Sequence, residues 1–139
     1  MPPDLPTPED IASGAAALGL ELSGQQINQL AEYAQLLMRW NSVHNLTAVR
    51  GGREVLTHHL LDSLAIVPHL VRLVAGEPAR VLDVGSGGGL PGMVLATVVP
   101  ALRLTLVDAA QKKCAFLTQA RLELRLSNVE VVHGRAETL

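Results

Sequence analysis

Two carboxylates and a group of glycines form the clearest chemical pattern in this sequence. Asp83 lies in a hydrophobic run that leads into Gly85 and Gly87, and Asp108 follows the next such run. Glycine lets a ligand approach the backbone closely, and a carboxylate beside it attracts a positive group or accepts a hydrogen bond from a hydroxyl. The spacing predicts a site for a nucleotide-like cofactor.

These residues lie where strands are expected to end. The alternating patterns after residue 77 predict three strands and two intervening helices: strands 80–84, 103–107 and 129–133, and helices over about 91–99 and 110–126. Short joints between them predict a parallel sheet in the order three-two-one. Because the carboxyl ends of parallel strands share one edge, Asp83, Asp108 and Ala136-Glu137 should lie near one another.

The first 75 residues have helical patterns instead. Thr7-Pro8 and Ser23-Gly24 are typical helix starts, and a later helical tract over about 53–75 contains Pro68, which should kink or break it. The pattern changes at Gly76-Glu77-Pro78. We expect one domain over residues 1–139, with a helical extension over 1–76 and a cofactor-binding sheet over 77–139.

The composition is that of a globular domain without general affinity for nucleic acid. The 139 residues are 48% hydrophobic and 17% charged, and the formal net charge is −2. The N-terminus does not resemble a signal peptide, and glycines and prolines interrupt the uncharged stretch 85–102. We expect a cytoplasmic protein with no membrane contact.

Metal and thiol chemistry are disfavoured by the residues available. Cys114 is the one cysteine, which excludes an internal disulfide and multi-cysteine zinc patterns. His58 and Asp62 lie one helical turn apart, but two candidate ligands do not make a metal site. We expect no metal, and we expect Trp40 to pack in the core.

Two cofactors compete for the glycine-rich segment. Gly87-x-Gly89-x-x-Gly92 has the spelling of a dinucleotide-binding turn, with Asp108 downstream for a ribose hydroxyl. An S-adenosylmethionine site instead resembles apolar-apolar-acid-apolar-Gly-x-Gly, which residues 81–87 match. Asp83 favours S-adenosylmethionine, because this cofactor carries positive amino and sulfonium groups and no pyrophosphate. In a third interpretation no ligand is bound: Asp83 caps the turn, the glycines let the helix pack on the strand, and Asp108 caps the next helix.

Several runs together resemble the small-subunit ribosomal RNA guanine-nitrogen-7 methyltransferases (RsmG, also called GidB). The runs are Trp40-Asn41, Asn45-Leu46-Thr47-Ala48-Val49-Arg50, His59-Leu60-Leu61-Asp62-Ser63 and Asp83-Val84-Gly85-Ser86-Gly87-Gly88-Gly89-Leu90-Pro91-Gly92. The resemblance implies an α/β, class I S-adenosylmethionine-dependent methyltransferase with a Rossmann-like parallel sheet and an N-terminal helical extension. It also implies S-adenosylmethionine as methyl donor and a guanine of 16S rRNA, in the small ribosomal subunit, as acceptor. We expect a monomer.

The resemblance also suggests cofactor contacts. Carried over by position, they fall on Gly85, Leu90, Ala136 and Glu137, to which the turn chemistry adds Asp83, Gly87 and Asp108. No catalytic residue is assigned, because guanine nitrogen 7 offers a free lone pair and needs no general base.

The family's sheet continues through four further strands, so residues 77–139 correspond to its first half. A strand over 81–84 would then lie at a sheet edge, and we expect the chain alone to be marginally stable and to bind cofactor weakly. The alternatives are a non-catalytic cofactor-binding remnant, a small-molecule methyltransferase or an NAD-binding oxidoreductase.

Overall fold

The computed structural model describes residues 5–45, 52–75, 77–135 and 137. Its secondary structure is α1 (Pro8–Ala17), α2 (Gly24–His44), α3 (Arg53–Leu64), α4 (Val67–Val74), β1 (Ala79–Val84), α5 (Gly92–Val98), β2 (Leu102–Asp108), α6 (Gln111–Glu123) and β3 (Val129–His133). The three strands and the two helices expected between them are confirmed, with boundaries that differ by a few residues.

The N-terminal helices begin and end where local chemistry dictates. Thr7 and Ser23 each accept a hydrogen bond from the backbone three residues later and complete a capping box, which fixes the starts of α1 and α2. The tract over 53–75 is two helices, and Pro68 lies in the first turn of the second. The break comes just before the proline because proline lacks an N–H and clashes with a preceding helical turn.

The described strands form a parallel sheet in the order β1-β2-β3, which confirms the predicted order. Val84 lies opposite Val107, and Asp108 lies opposite His133. The carboxyl ends of the three strands are therefore adjacent. Within the described residues, β1 is at an edge of the sheet.

The helices cover one face of this sheet. On β2, Leu102, Leu104 and Leu106 are buried, where α5 and α6 contact the strand and α2 packs on both helices. On the opposite face of β1, Leu82 and Val84 are each 54% exposed. The low stability expected for an uncovered edge strand stays a prediction.

None of the helices in the described part of the chain combines the length and apolar character that a membrane crossing requires.

Candidate cofactor site at the carboxyl edge of the sheet

The glycine-rich turn lies across the carboxyl ends of β1 and β2. The Gly85 N–H donates to the Val107 carbonyl at 2.8 Å, and the Gly87 N–H donates to Asp108 Oδ2 at 3.0 Å. The φ angles of these glycines are +71° and +56°, in the left-handed region that favours glycine. The structure thus brings Asp83, Gly85, Gly87 and Asp108 together, as the pattern indicated.

The glycines of the turn differ in their surroundings. A Cβ added at Gly89 would lie 2.6 Å from Met93 Cγ, and one at Gly92 would lie 2.4 Å from Leu106 Cδ2. A Cβ at Gly85 would meet nothing within 4 Å. Gly89 and Gly92 therefore allow close packing, whereas Gly85 leaves its backbone open to a ligand.

Asp83 is half-buried and accepts hydrogen bonds from both ends of the turn, through its carboxylate and its backbone carbonyl. Its Oδ2 accepts from the Gly92 N–H at 3.1 Å, and its carbonyl accepts from Ser86 Oγ at 2.8 Å. Burial raises the pKa of Asp83; the Gly92 hydrogen bond opposes this rise, and the charge of Asp108 adds to it. The ionised carboxylate of Asp83 is therefore disfavoured in the ligand-free chain, and a nearby cation would stabilise that ionised form.

Asp108 connects the turn to the start of α6. It is 8% exposed, and its Oδ1 accepts from the Ala110 N–H at 2.8 Å while its Oδ2 accepts from Gly87. A carboxylate has roughly four lone-pair sites, so each oxygen keeps one for a further donor. Asp108 can therefore hold the turn and still accept a hydrogen bond from a hydroxyl.

The loop after β3 starts at the same edge. The Gly134 N–H donates to the Asp108 carbonyl at 3.0 Å, and His133 Nε2 lies 3.0 Å from the Ala109 carbonyl. Glu137 has an exposed side chain, whose Oε1 lies 3.9 Å from a guanidinium nitrogen of Arg135. The beginning of this loop is thus fixed beside Asp108.

Two parts of the predicted pattern lie outside the described residues: Ala136, and residues 46–50 of the Asn45–Arg50 run. Leu90, by contrast, is described. It is half-buried in the turn and packs against the hydrophobic core.

Tyr33 of α2 also belongs to this edge and was missed from the sequence. Its side chain is 1% exposed, and its hydroxyl donates to the Gly88 carbonyl. A signal was available, because Tyr33 shares the apolar face of α2 with Leu30 and Leu37, and a buried tyrosine hydroxyl needs a partner.

The other candidate residues have structural surroundings. Cys114 is buried in α6, its Sγ donates to the Asp108 carbonyl at 3.4 Å, and burial raises the pKa of its thiol, which disfavours a thiolate nucleophile. Trp40 packs against Phe116 with ring centroids 5.7 Å apart. His58 and Asp62 are exposed, with 3.6 Å between Nε2 and Oδ1. The described residues contain no group of three or more His, Cys, Asp or Glu side chains that could hold a metal ion.

A separate cavity of about 660 Å³ lies between α1 and α3. Asp10, Arg53 and Glu54 are its charged lining residues, and Arg53 bonds to Asp10, with an Nη2–Oδ1 distance of 2.6 Å. The cavity is open, and the charges of Asp10 and Arg53 already satisfy each other. It has none of the turn geometry of the sheet edge.

Comparison with known proteins identifies the family. The family described as GidB, rRNA small subunit methyltransferase G, matches residues 26–139. The chain belongs to this family. The sheet and N-terminal helices accordingly represent the Rossmann-like fold of class I methyltransferases, as the resemblance implied.

Individual relatives carry the name Ribosomal RNA small subunit methyltransferase G. The Ralstonia nicotianae protein is 54% identical over 96% of this chain and 61% of its own length. The proteins of Burkholderia multivorans and Burkholderia thailandensis are 56% and 54% identical, each over 93% of this chain and 55% of their own length. The chain thus spans between 55% and 61% of the length of these curated relatives.

Proposed function

We propose that this chain is the S-adenosylmethionine-binding part of a methyltransferase that modifies nitrogen 7 of a guanine in 16S rRNA. The observation that carries the proposal is the open backbone at Gly85, in a turn whose Gly92 and Gly87 N–H groups bond to the carboxylates of Asp83 and Asp108. The names of the relatives support the ribosomal RNA substrate.

The residues at this edge fit the charge and shape of the proposed donor. The unfavourable negative charge of Asp83 complements the ammonium and sulfonium groups of S-adenosylmethionine. Gly85 and Gly87 let the backbone approach the ligand, and the remaining lone pairs of Asp108 suit ribose hydroxyls. We place Leu90, Ala136 and Glu137 around the same ligand, as the family resemblance implies.

The proposed reaction asks mainly for alignment. S-adenosylmethionine supplies an activated methyl group, and guanine nitrogen 7 presents an unprotonated lone pair. The residues of this chain need not remove a proton; they hold the donor so that nitrogen, methyl carbon and sulfur can lie in line.

One contact argues against a nicotinamide dinucleotide. Such a cofactor would bring its pyrophosphate to the backbone N–H groups at the start of the helix after the turn. Here the Gly92 N–H is bonded to Asp83, at 3.1 Å. A pyrophosphate would have to displace this carboxylate or share the position with a like charge.

The proposal divides into two measurable parts. Isothermal titration with S-adenosylmethionine and with NAD tests the cofactor, and we expect heat from the first alone. Incubation with labelled S-adenosylmethionine and undermethylated small ribosomal subunits tests transfer to guanine. Binding without transfer would identify this chain as a cofactor-binding remnant; binding of NAD alone would overturn the cofactor assignment.

The proposal also covers organisation and place of action. We propose a monomer whose residues 1–139 are part of a single methyltransferase domain, with its helical extension over 1–76 and the first half of its cofactor-binding sheet over 77–139. A ribosomal subunit as substrate would place the protein in the cytoplasm. Sedimentation velocity in the presence and absence of cofactor checks the oligomeric state.

A further inference from the structure

Helix α2 makes polar contacts with three separate parts of the sheet and its helices. Gln26 Nε2 donates to two carbonyls in the last turn of α5, each at 3.4 Å. Gln29 Nε2 donates to the Leu124 carbonyl at the C-cap of α6, at 2.8 Å. Tyr33 donates to Gly88 in the glycine-rich turn. One helix therefore connects both sheet helices with the turn.

The spacing of these side chains matches the length of α5. Gln26 and Tyr33 are seven residues apart, which corresponds to a rise of about 10.5 Å along α2. Helix α5 has 7 residues and therefore about the same length. Gln26 contacts the C-terminal end of α5, and Tyr33 contacts the turn that precedes its start. Helix α2 thus holds α5 and its turn at both ends.

The tyrosine hydroxyl is closely fitted against the turn. A Cβ at Gly89 would lie 3.3 Å from this hydroxyl and 3.1 Å from Leu117 Cδ2. Burial, together with the nearby charge of Asp83, raises the pKa of Tyr33, so the hydroxyl keeps its proton and remains a donor. The Gly88 carbonyl is buried with its residue, and loss of the donor would leave it without this bond.

We propose that Tyr33 is a positioning residue for S-adenosylmethionine: by holding the Gly88 carbonyl, it fixes the turn 85–89 in the form that receives the cofactor's amino-acid tail. The inference rests on the function proposed above. It makes α2 a working part of the cofactor site, although α2 lies outside the sheet that carries Asp83 and Asp108.

The first test replaces Tyr33 by phenylalanine, which removes the hydroxyl and keeps the ring. Titrations with S-adenosylmethionine and with methylthioadenosine, which lacks the amino-acid tail, are compared. We expect Tyr33→Phe to weaken S-adenosylmethionine about tenfold, which corresponds to one hydrogen bond, and to leave methylthioadenosine within about twofold. Equal loss for both ligands, or no loss for either, would overturn the proposal.

Gln29→Leu is the matched control. It removes another side-chain donor of α2, but one that contacts the end of α6 instead of the turn. We expect it to lower the melting temperature and to leave the affinity ratio of the two ligands unchanged. If Gln29→Leu changes this ratio as much as Tyr33→Phe does, the effect comes from general loosening of α2, and the positioning role is wrong.

A ligand-free measurement separates this inference from the proposed function. The Gly89 N–H donates to the Ser86 carbonyl at 2.7 Å, so its hydrogen exchange reports on the turn. We expect Tyr33→Phe to speed exchange at Gly89, and Gln29→Leu not to do so. If the wild type binds no S-adenosylmethionine, the proposed function fails; unchanged exchange in Tyr33→Phe would contradict the inference by itself.

A spectroscopic test retains the Tyr33 hydroxyl and therefore applies even if the Tyr33→Phe variant does not fold. Tyr33 is the one tyrosine in the sequence, so incorporation of 3-fluorotyrosine labels this position alone. We expect S-adenosylmethionine to shift the fluorine signal and methylthioadenosine to shift it much less. A fluorine signal that S-adenosylmethionine leaves unchanged, while the titration shows binding, would refute the role of Tyr33.

Discussion

Gly92→Ala tests how closely α5 starts against the sheet. The added Cβ would lie 2.4 Å from Leu106 Cδ2 and 2.6 Å from Asp83 Oδ2, whereas ordinary contacts begin at 3.4 Å. Leu106 is fully buried in β2, and Asp83 is held by the Gly92 N–H itself. Leu106 would have to retreat by about 1 Å into the packed core, and half-buried Asp83 by about 0.8 Å, away from its hydrogen bond with Gly92.

The expected cost of this methyl group is large for its size. Overpacking of a core costs about 1–3 kcal/mol, and a lengthened Gly92–Asp83 hydrogen bond adds about 1 kcal/mol. Relative to the same substitution at an unobstructed helix start, which gains a little helix propensity, the free energy of unfolding should therefore fall by about 2–4 kcal/mol, out of a total of about 5–15 kcal/mol for a natural domain. At roughly 4 °C per kcal/mol for a chain of this size, the melting temperature should fall by about 8–16 °C.

Thermal and urea melts followed by circular dichroism measure this effect. Gly24→Ala is the matched control, because Gly24 is at the start of α2 and a Cβ there would meet nothing within 4 Å. We expect this control to change stability by less than about 1 kcal/mol, and in the stabilising direction. If Gly92→Ala melts within about 2 °C of Gly24→Ala, the close contact between helix and strand is refuted.

Three further changes separate charge, backbone and ion-pair effects. Asp83→Asn keeps an acceptor for the Gly92 N–H and removes a carboxylate whose pKa is raised on folding. It should therefore stabilise the ligand-free chain at pH values above the normal aspartate pKa and lose that advantage at lower pH, as melts across pH would show. It should also weaken S-adenosylmethionine binding, which calorimetry measures. Gly85→Ala adds about 1–2 kcal/mol of left-handed strain and fills the open space, so affinity should fall by a larger factor than stability predicts; equal losses would argue against a ligand there. Arg53→Gln removes the partner that lowers the pKa of Asp10. The variant should melt at a lower temperature than the wild type at neutral pH, and this difference should shrink as the pH falls through the lowered pKa of Asp10. A difference independent of pH would contradict the ion pair.

The positions of the elements could be predicted because they depend on local patterns. Apolar residues recur at helical spacing on α2 and in short runs on the strands, and the capping boxes at Thr7 and Ser23 mark where helices begin. The grouping of Asp83 and Asp108 followed from the shared edge of parallel strands.

The contacts across the chain could not be predicted in the same way. The bond between Tyr33 and Gly88 joins residues 55 positions apart, and it depends on how α2 lies against the turn. The Gly87 N–H reaches Asp108 because of the positive φ angles in the glycine-rich turn, which the sequence permits but does not determine. Likewise, no local pattern indicated that the Gly92 N–H would bond to Asp83.

The central claim is that S-adenosylmethionine binds at the carboxyl edge of β1 and β2. A titration of the isotopically labelled chain, followed by backbone amide resonances, tests it most directly. We expect S-adenosylmethionine to shift the amides of Gly85, Gly87 and Asp108, and NAD to shift none of them. Shifts caused by NAD alone, or shifts from S-adenosylmethionine confined to the cavity between α1 and α3, would contradict it.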